Sequence, residues 1–248
     1  VIPLSLRSTW RTLALQASFN RIGMQRTGWW VGIAPWLRRR DESTRREWLG
    51  RQRAFFNTNP YLAPVLLGAR CRIEEDHSVE LADRVEVTMQ RTLGSLGDSL
   101  SWRAVRPVWF LATALAGIAL GPVAVLVAWL IFGVGVLTVH RVGLVWGYRH
   151  GLDVVDRLAE LPLYPISNAG RRVAAILAGA VAAGTLALSI SAGQDLMSIV
   201  AASVAVAVGA TMVRFRRGPE WMLLGVFVGL ILFARWTGNF PEAVVTWR

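Results

Sequence analysis

From Pro107 to Val139 the chain carries no acidic or basic side chain, and residues 173–213 hold only one, Asp195. A helix needs about 20 apolar residues to cross the hydrocarbon core of a bilayer, so runs of this length are membrane-spanning candidates. The alternative is a pair of helices buried inside a soluble domain. The whole composition favours the membrane: 54% of the 248 residues are hydrophobic, and the mean hydropathy is +0.42, above the usual range of a soluble domain.

Each run is punctuated. Residues 107–140 are too many for one ordinary span and are interrupted by Gly121-Pro122. Residues 108–120 are too few to cross unless Trp102 to Pro107 join them. The block therefore reads as a broken or re-entrant helical hairpin, a feature that lines transporter sites. Residues 173–193 and 196–213 flank the turn Gly193-Gln194-Asp195, with Arg171-Arg172 and Arg214, Arg216 and Arg217 at their far ends. Residues 221–236 make a short last span. Small residues through 174–184 permit close helix packing against a neighbour. The expected fold class is an all-α integral membrane protein: N-terminal amphipathic and cytoplasmic helices, the broken hairpin, then about three transmembrane helices. It reads as one component with four parts: a motif-bearing region 1–106, the hairpin 107–140, a cytoplasmic segment 141–172, and C-terminal helices 173–236.

The formal charge of +11 invites a nucleic-acid partner, and every one of the 27 basic residues is arginine. Their placement argues otherwise. They concentrate before residue 107 and at the ends of apolar runs, where the positive-inside rule puts them on the cytoplasmic face. Segments 1–106, 141–172 and 214–220 are accordingly expected in the cytoplasm, with 193–196 and 237–248 outside. Arg7, Arg11, Arg21 and Arg26 interrupt the opening stretch, unlike a secretory leader. One cysteine, Cys71, excludes an intramolecular disulfide.

Residues 5–37 mix Trp10, Phe19, Trp29, Trp30 and Trp36 with arginines, a combination suited to the membrane interface or to a soluble core helix. Residues 38–53 are dense in charge and should form a solvated helix.

Two polar motifs stand out. Phe55-Phe56-Asn57-Thr58-Asn59-Pro60 sets two carboxamides and a hydroxyl between apolar residues. Such groups donate and accept hydrogen bonds without charge, which suits a neutral polyhydroxylated ligand such as a sugar. Asn and Thr also cap helices and Pro stops them, so a capped turn explains the same residues. Pro60 disfavours helical geometry at Asn59. The second motif, Gly94-Ser95-Leu96-Gly97-Asp98-Ser99, offers glycines for a sharp turn or a close approach. Asp98 either accepts from sugar hydroxyls or caps a helix beginning near Ser99. No nucleophile–base pair, metal cluster or phosphate loop is present, so no stand-alone enzyme and no cofactor is expected.

These motifs, in this order, resemble the IID membrane component of the mannose/fructose/sorbose family of bacterial phosphotransferase systems. The resemblance runs through Gln16-Ala17-Ser18-Phe19-Asn20, Met24-Gln25, Gly28 and Pro35, then through Phe55 to Pro60. It continues with Leu67-Gly68, Glu74-Glu75, Gly97-Asp98-Ser99, Trp102, Arg106-Pro107 and Gly121-Pro122, and ends in Gly143, Gly147-Tyr148 and Gly151. It implies a multi-pass protein of the bacterial inner membrane that forms a sugar path with a IIC membrane subunit. Soluble IIA and IIB phosphocarrier components would pass a phosphoryl group from phosphoenolpyruvate to the incoming hexose-type sugar. The phosphorylated residues of the family lie on IIA and IIB, in keeping with His77, His140 and His150, none of which has the surroundings of a phosphohistidine. The sugar-binding candidates are Asn57, Thr58, Asn59, Asp98 and Asn20.

The sequence also departs from the family. Ile22 stands where the family carries an acid, and Arg91-Thr92-Leu93-Gly94-Ser95 replaces a glycine-proline turn. These departures leave a second expectation in place, a non-transporting assembly or regulatory subunit.

Overall fold

The computed structural model of the chain describes residues 6–17, 19–51, 55–191 and 193. The helices expected at 196–213 and 221–236, the basic segment 214–220 and the tail 237–248 lie outside them. The chain divides into two units, Val1–Leu177 and Ala178–Arg248.

Among the described residues the backbone is helical, and strand pairing is confined to two isolated bridges, Asn20–Met24 and Met24–Phe56. Helix α1 (Leu6–Thr12) continues as a 3-10 turn to Gln16. Helix α2 (Arg26–Leu37) and the charged α3 (Glu42–Arg51) follow. Asp41 starts α3 by accepting from Ser43 Oγ and from Thr44 N (2.9 Å), which holds its carboxyl well below the usual carboxylate range. The aromatic residues of this region divide by role. Trp10 and Phe19 are exposed, whereas Trp29, Trp36 and Trp48 are core residues. Interface placement therefore fails for Trp29 and Trp36: Trp29 stacks on Phe56 at 4.2 Å, and Trp36 donates its indole N–H to Glu75 at 2.8 Å.

Helix α4 (Ala63–Asp76) is the centre of the first unit, buried along almost its whole length. Pro64 sits in its first turn, where a missing N–H costs nothing. It crosses α7 (Pro122–His150) on glycines. A Cβ at Gly68 would lie 2.1 Å from the Leu144 carbonyl oxygen, and one at Gly147 would lie 2.0 Å from that of Val65. Only hydrogen fits there, so the backbones meet directly.

Polar side chains tie α4 to its neighbours. Arg70, 1% exposed, pairs with Glu74 (3.0 Å), Asp83 (2.6 Å) and Glu86 (2.8 Å). Burial alone would lower its pKa; Glu86, Glu74 and Asp83 more than offset that and hold the guanidinium above its ordinary value. Glu75 accepts from Trp36 on α2, from Arg40 and from the Tyr148 hydroxyl on α7.

Helix α5 (Val79–Gly97), capped by Ser78, does not turn at its glycines. It runs on through a wide π-helical stretch, Asp98–Val105, into α6 (Arg106–Leu120). Of the readings left open by the sequence, the sharp turn at Gly94–Gly97 and the helix start near Ser99 are replaced by one continuous helix of 42 residues, Val79–Leu120. Asp98 has helical dihedrals and caps nothing. The hairpin break falls at Gly121, whose φ of +85° and ψ of −175° favour glycine strongly. A 3-10 turn (Gly151–Asp153), the short α8 (Val154–Glu160) and the long α9 (Leu163–Ser191) complete the described chain. Helix α9 begins ten residues before the span read from position 173.

Among the described residues, three stretches, Val79–Leu120, Pro122–Glu160 and Leu163–Leu188, are long and apolar enough to cross a membrane. Leu126, Leu130 and Val134 of α7 are all exposed, an apolar stripe at helical spacing that water would not favour.

Candidate functional site

Residues 55–59 lie outside any helix, in keeping with Pro60, which disfavours helical geometry at Asn59. A compact turn holds it from one side. Asn20 Oδ1 accepts from the backbone N–H groups of Ile22 (3.1 Å) and Gly23 (2.8 Å), and Gln25 N donates to the Phe56 carbonyl at 2.9 Å. Two glutamines then fix the next two residues. Gln90 Oε1 accepts from Asn57 N at 3.1 Å, and Gln25 Oε1 accepts from Thr58 N at 2.9 Å.

Asn59 is 1% exposed and fully engaged. Its amide donates to Asp98 Oδ1 at 2.8 Å and to Ser101 Oγ at 2.9 Å, while its Oδ1 accepts from Tyr61 N at 3.0 Å. Ser101 Oγ in turn donates a hydrogen bond to the Gly97 carbonyl at 2.6 Å. A Cβ on Gly97 would come within 2.4 Å of Asn59, so the close approach that glycine allows is used by this asparagine. The π-helical turn thus presents Asp98 and Ser101 to Asn59, and such irregular turns recur at functional sites.

The five candidates divide clearly. Asn59 and Asp98 are in contact. Thr58 is adjacent, near Gly94, with its hydroxyl buried and lacking a hydrogen-bond partner among the described residues. Asn57 is exposed, held only through its backbone in the bonds above. Asn20 is an exposed turn residue that organises 20–24, the stretch on which Phe56 pairs. Asp98 remains exposed, so its carboxylate keeps acceptor capacity beyond the bond to Asn59.

Gln25 and Gln90 were not singled out as candidates from the sequence. Both are buried. Gln25 lies inside the Met24-Gln25 motif, which was the available signal; nothing in the sequence marks Gln90.

Beside Asn59 and Ser101 opens a cleft of about 320 Å³ between the loop before α4, the π-helical stretch, α6 and α7. Its walls are otherwise nearly all apolar, among them Leu62, Leu100, Trp109, Phe132 and Val136. Helix α9 closes on the other side of the same π turn: Ser167 Oγ donates to the Ser99 carbonyl at 2.7 Å, and a Cβ at Gly170 would lie 2.6 Å from that of Ala104.

A helical bundle with three membrane-length apolar helices and a polar site at a helix irregularity defines a multi-pass membrane protein. The chain belongs to the mannose/fructose/sorbose family of phosphotransferase-system IID components, whose profile matches residues 5–234. It is 30% identical over 157 residues to the mannose-specific EIID component of Escherichia coli K12, a match covering 58% of this chain and 54% of that one. It is 26% identical over 159 residues to the fructose permease IID component of Bacillus subtilis 168, covering 60% and 57% respectively. The match thus spans little more than half the length of these relatives. Two solved structures share the fold. One, described only as a membrane protein, superposes with a TM-score of 0.68 at 23% identity over 93% of this chain and 97% of its own. The other, a mannose transporter ManYZ complex with microcin E492, gives a TM-score of 0.54 at 19% identity over 95% and 96%.

Proposed function

We propose that this protein is the IID subunit of a sugar-translocating complex in a bacterial inner membrane, and that it lines the sugar path together with a IIC subunit. The observation that carries this reading is the contact between Asn59 and Asp98. It joins two sequence motifs 39 residues apart at a point where both backbones leave regular α-helix. A hexose offers hydroxyls that both donate and accept. Asp98 supplies acceptor capacity, Thr58 an unpaired hydroxyl, and Asn57 an exposed carboxamide within one segment, with Asn20 supporting that segment from below. Thr58 Oγ1 is buried without a hydrogen-bond partner among the described residues, and such a group costs about 1–3 kcal/mol, so a ligand hydroxyl admitted to it would recover energy.

In this reading the chain is not itself phosphorylated. The phosphoryl group reaches the sugar from phosphoenolpyruvate through IIA and IIB, and this subunit binds and orients the sugar. Similarity to mannose- and fructose-specific relatives supports a hexose as the substrate.

The test is saturable sugar binding by the co-expressed IIC–IID pair. Asp98→Ala and Thr58→Val should each weaken hexose binding at least about tenfold, the factor for one lost hydrogen bond of about 1.4 kcal/mol, with co-purification of IIC unchanged. Binding indistinguishable from the unaltered pair in both variants would remove these residues from the sugar path. Absence of sugar binding by the unaltered pair would instead favour an assembly or regulatory subunit.

A further inference from the structure

Arg106 is the last charged residue before the charge-free run 107–139, and it opens α6. Its guanidinium lies over the ring of Trp102 at 4.1 Å and that of Phe110 at 5.3 Å. Its Nε is buried and has no hydrogen-bond partner among the described residues. Aromatic faces satisfy part of a cation's charge, but they do not replace an acceptor for a buried N–H. The same side chain lines the apolar cleft, which continues past Val105 and Trp109 to Phe132 and Val136, on the facing walls of the α6–α7 hairpin. A Cβ at Gly135, on the cleft wall, would meet nothing within 4 Å.

A fixed cation with a spare donor at one end, and hydrocarbon along the rest, is complementary to an amphiphile with an anionic head. A free sugar has no tail for these walls, and a neutral hydrocarbon has nothing for Arg106. The position of Arg106 decides between a lipid and a partner helix. It stands where the charged sequence gives way to the apolar run, and tryptophans 102 and 109 flank it, the residue types that favour the headgroup region of a bilayer. Basic pockets between membrane helices take anionic headgroups for this reason.

We propose that this cleft is a binding site for an anionic phospholipid. A phosphate oxygen accepts from Arg106 Nε, and one acyl chain lies along Trp109, Phe132 and Val136. Such a lipid would cover the apolar side of the π turn that presents Asp98 and Ser101.

The experiment uses the full-length protein, delipidated in detergent and titrated with phosphatidylglycerol or phosphatidylcholine of the same chain length. Thermal unfolding and tryptophan fluorescence are the readouts. Phosphatidylglycerol should raise Tm clearly more than phosphatidylcholine, whose choline sets a second cation beside Arg106. Arg106→Gln should weaken the apparent affinity about tenfold, the factor for one charge-assisted hydrogen bond. Gly135→Leu places bulk on the cleft wall at a position whose Cβ meets no neighbour, and should abolish the shift; it carries the test if Arg106→Gln does not fold. Equal stabilisation by both lipids, or a phosphatidylglycerol shift that survives Gly135→Leu, overturns the proposal. So does a shift reproduced by inorganic phosphate, which would make the site a headgroup site only. Mannose displacing phosphatidylglycerol would hand the cleft to the sugar. Loss of IIC co-purification in both variants without any lipid dependence would hand it to a protein partner.

Discussion

At the residue scale the asparagine at position 59 shows how one side chain serves both local order and a site. Its two N–H donors reach Asp98 and Ser101 and its oxygen takes a backbone N–H, so its hydrogen-bonding capacity is used in holding the loop to the π turn. Asn59→Asp would set a second carboxylate against Asp98 in a buried position. We expect it to cost more stability than the about 1–3 kcal/mol of an unsatisfied group, and to be partly rescued by the paired exchange Asn59→Asp with Asp98→Asn. Thermal unfolding of the two single variants and the double variant checks this; additive losses would mean that the two side chains are not coupled. Cys71 gives a pH prediction. Burial pushes its thiol well up, while in the unfolded chain it titrates near its ordinary value of about 8.5. The folded state thus favours the neutral thiol, and its contribution to stability is complete below about pH 8.5 and lost as pH rises further. Maleimide should label Cys71 at pH 7.5 only after denaturation; rapid labelling of the folded protein would contradict its burial.

At the element scale three glycines make separable demands. Gly147 is needed for space, since a methyl group would lie 2.0 Å from the Val65 carbonyl. Gly121 is needed for its backbone, since nothing lies within 4 Å of its Cβ position but its φ is +85°. Gly133 meets neither constraint, being helical with open space around it. Gly147→Ala should therefore cost about 1–3 kcal/mol through forced separation of α4 and α7, and Gly121→Ala about 1–3 kcal/mol through strain. Gly133→Ala should be neutral or slightly stabilising. A Tm series in detergent distinguishes these, and equal effects at all three positions would refute the assignment of separate causes. The break at Gly121-Pro122 was legible because glycine and proline act through their own backbones. The continuity of α5 into α6 was not. Gly94 and Gly97 allowed either a sharp turn or a close approach; the helix does not bend, and Gly97 serves the approach of Asn59, a partner far away in the sequence.

At the scale of the whole molecule, the exposed apolar stripe of α7 and the three membrane-length stretches place this chain in a bilayer. It should remain in the membrane fraction after high-salt and alkaline washing and be released only by detergent, as judged by immunoblotting. Appearance as a monodisperse species in the soluble fraction would overturn the membrane assignment. Within the first unit, however, there is a closely packed core around α4: Trp29, Trp36, Trp48, Leu66 and Ile73 are buried, and Arg70 is enclosed with its three carboxylates. Removing Arg70 would leave buried carboxylates uncompensated, so Arg70→Ala should cost about 3–5 kcal/mol, and unfolding in denaturant would measure it.

What the sequence determined by itself was set by properties that act locally or by count. Charge-free length marked a helical hairpin suited to a membrane, glycine-proline placed its break, and ordered motifs pointed to the family. The tertiary structure decided what needs distant partners. It turned two of the N-terminal tryptophans from interface residues into core, and it made Asn20 a turn that props the Asn57–Asn59 segment. It also brought Asn59 onto Asp98 and recruited Gln25 and Gln90 to hold the intervening backbone. A hydrogen bond between residues 39 apart leaves no periodicity in a sequence; it depends on the close approach of Asn59 to Gly97, which only the tertiary packing brings about.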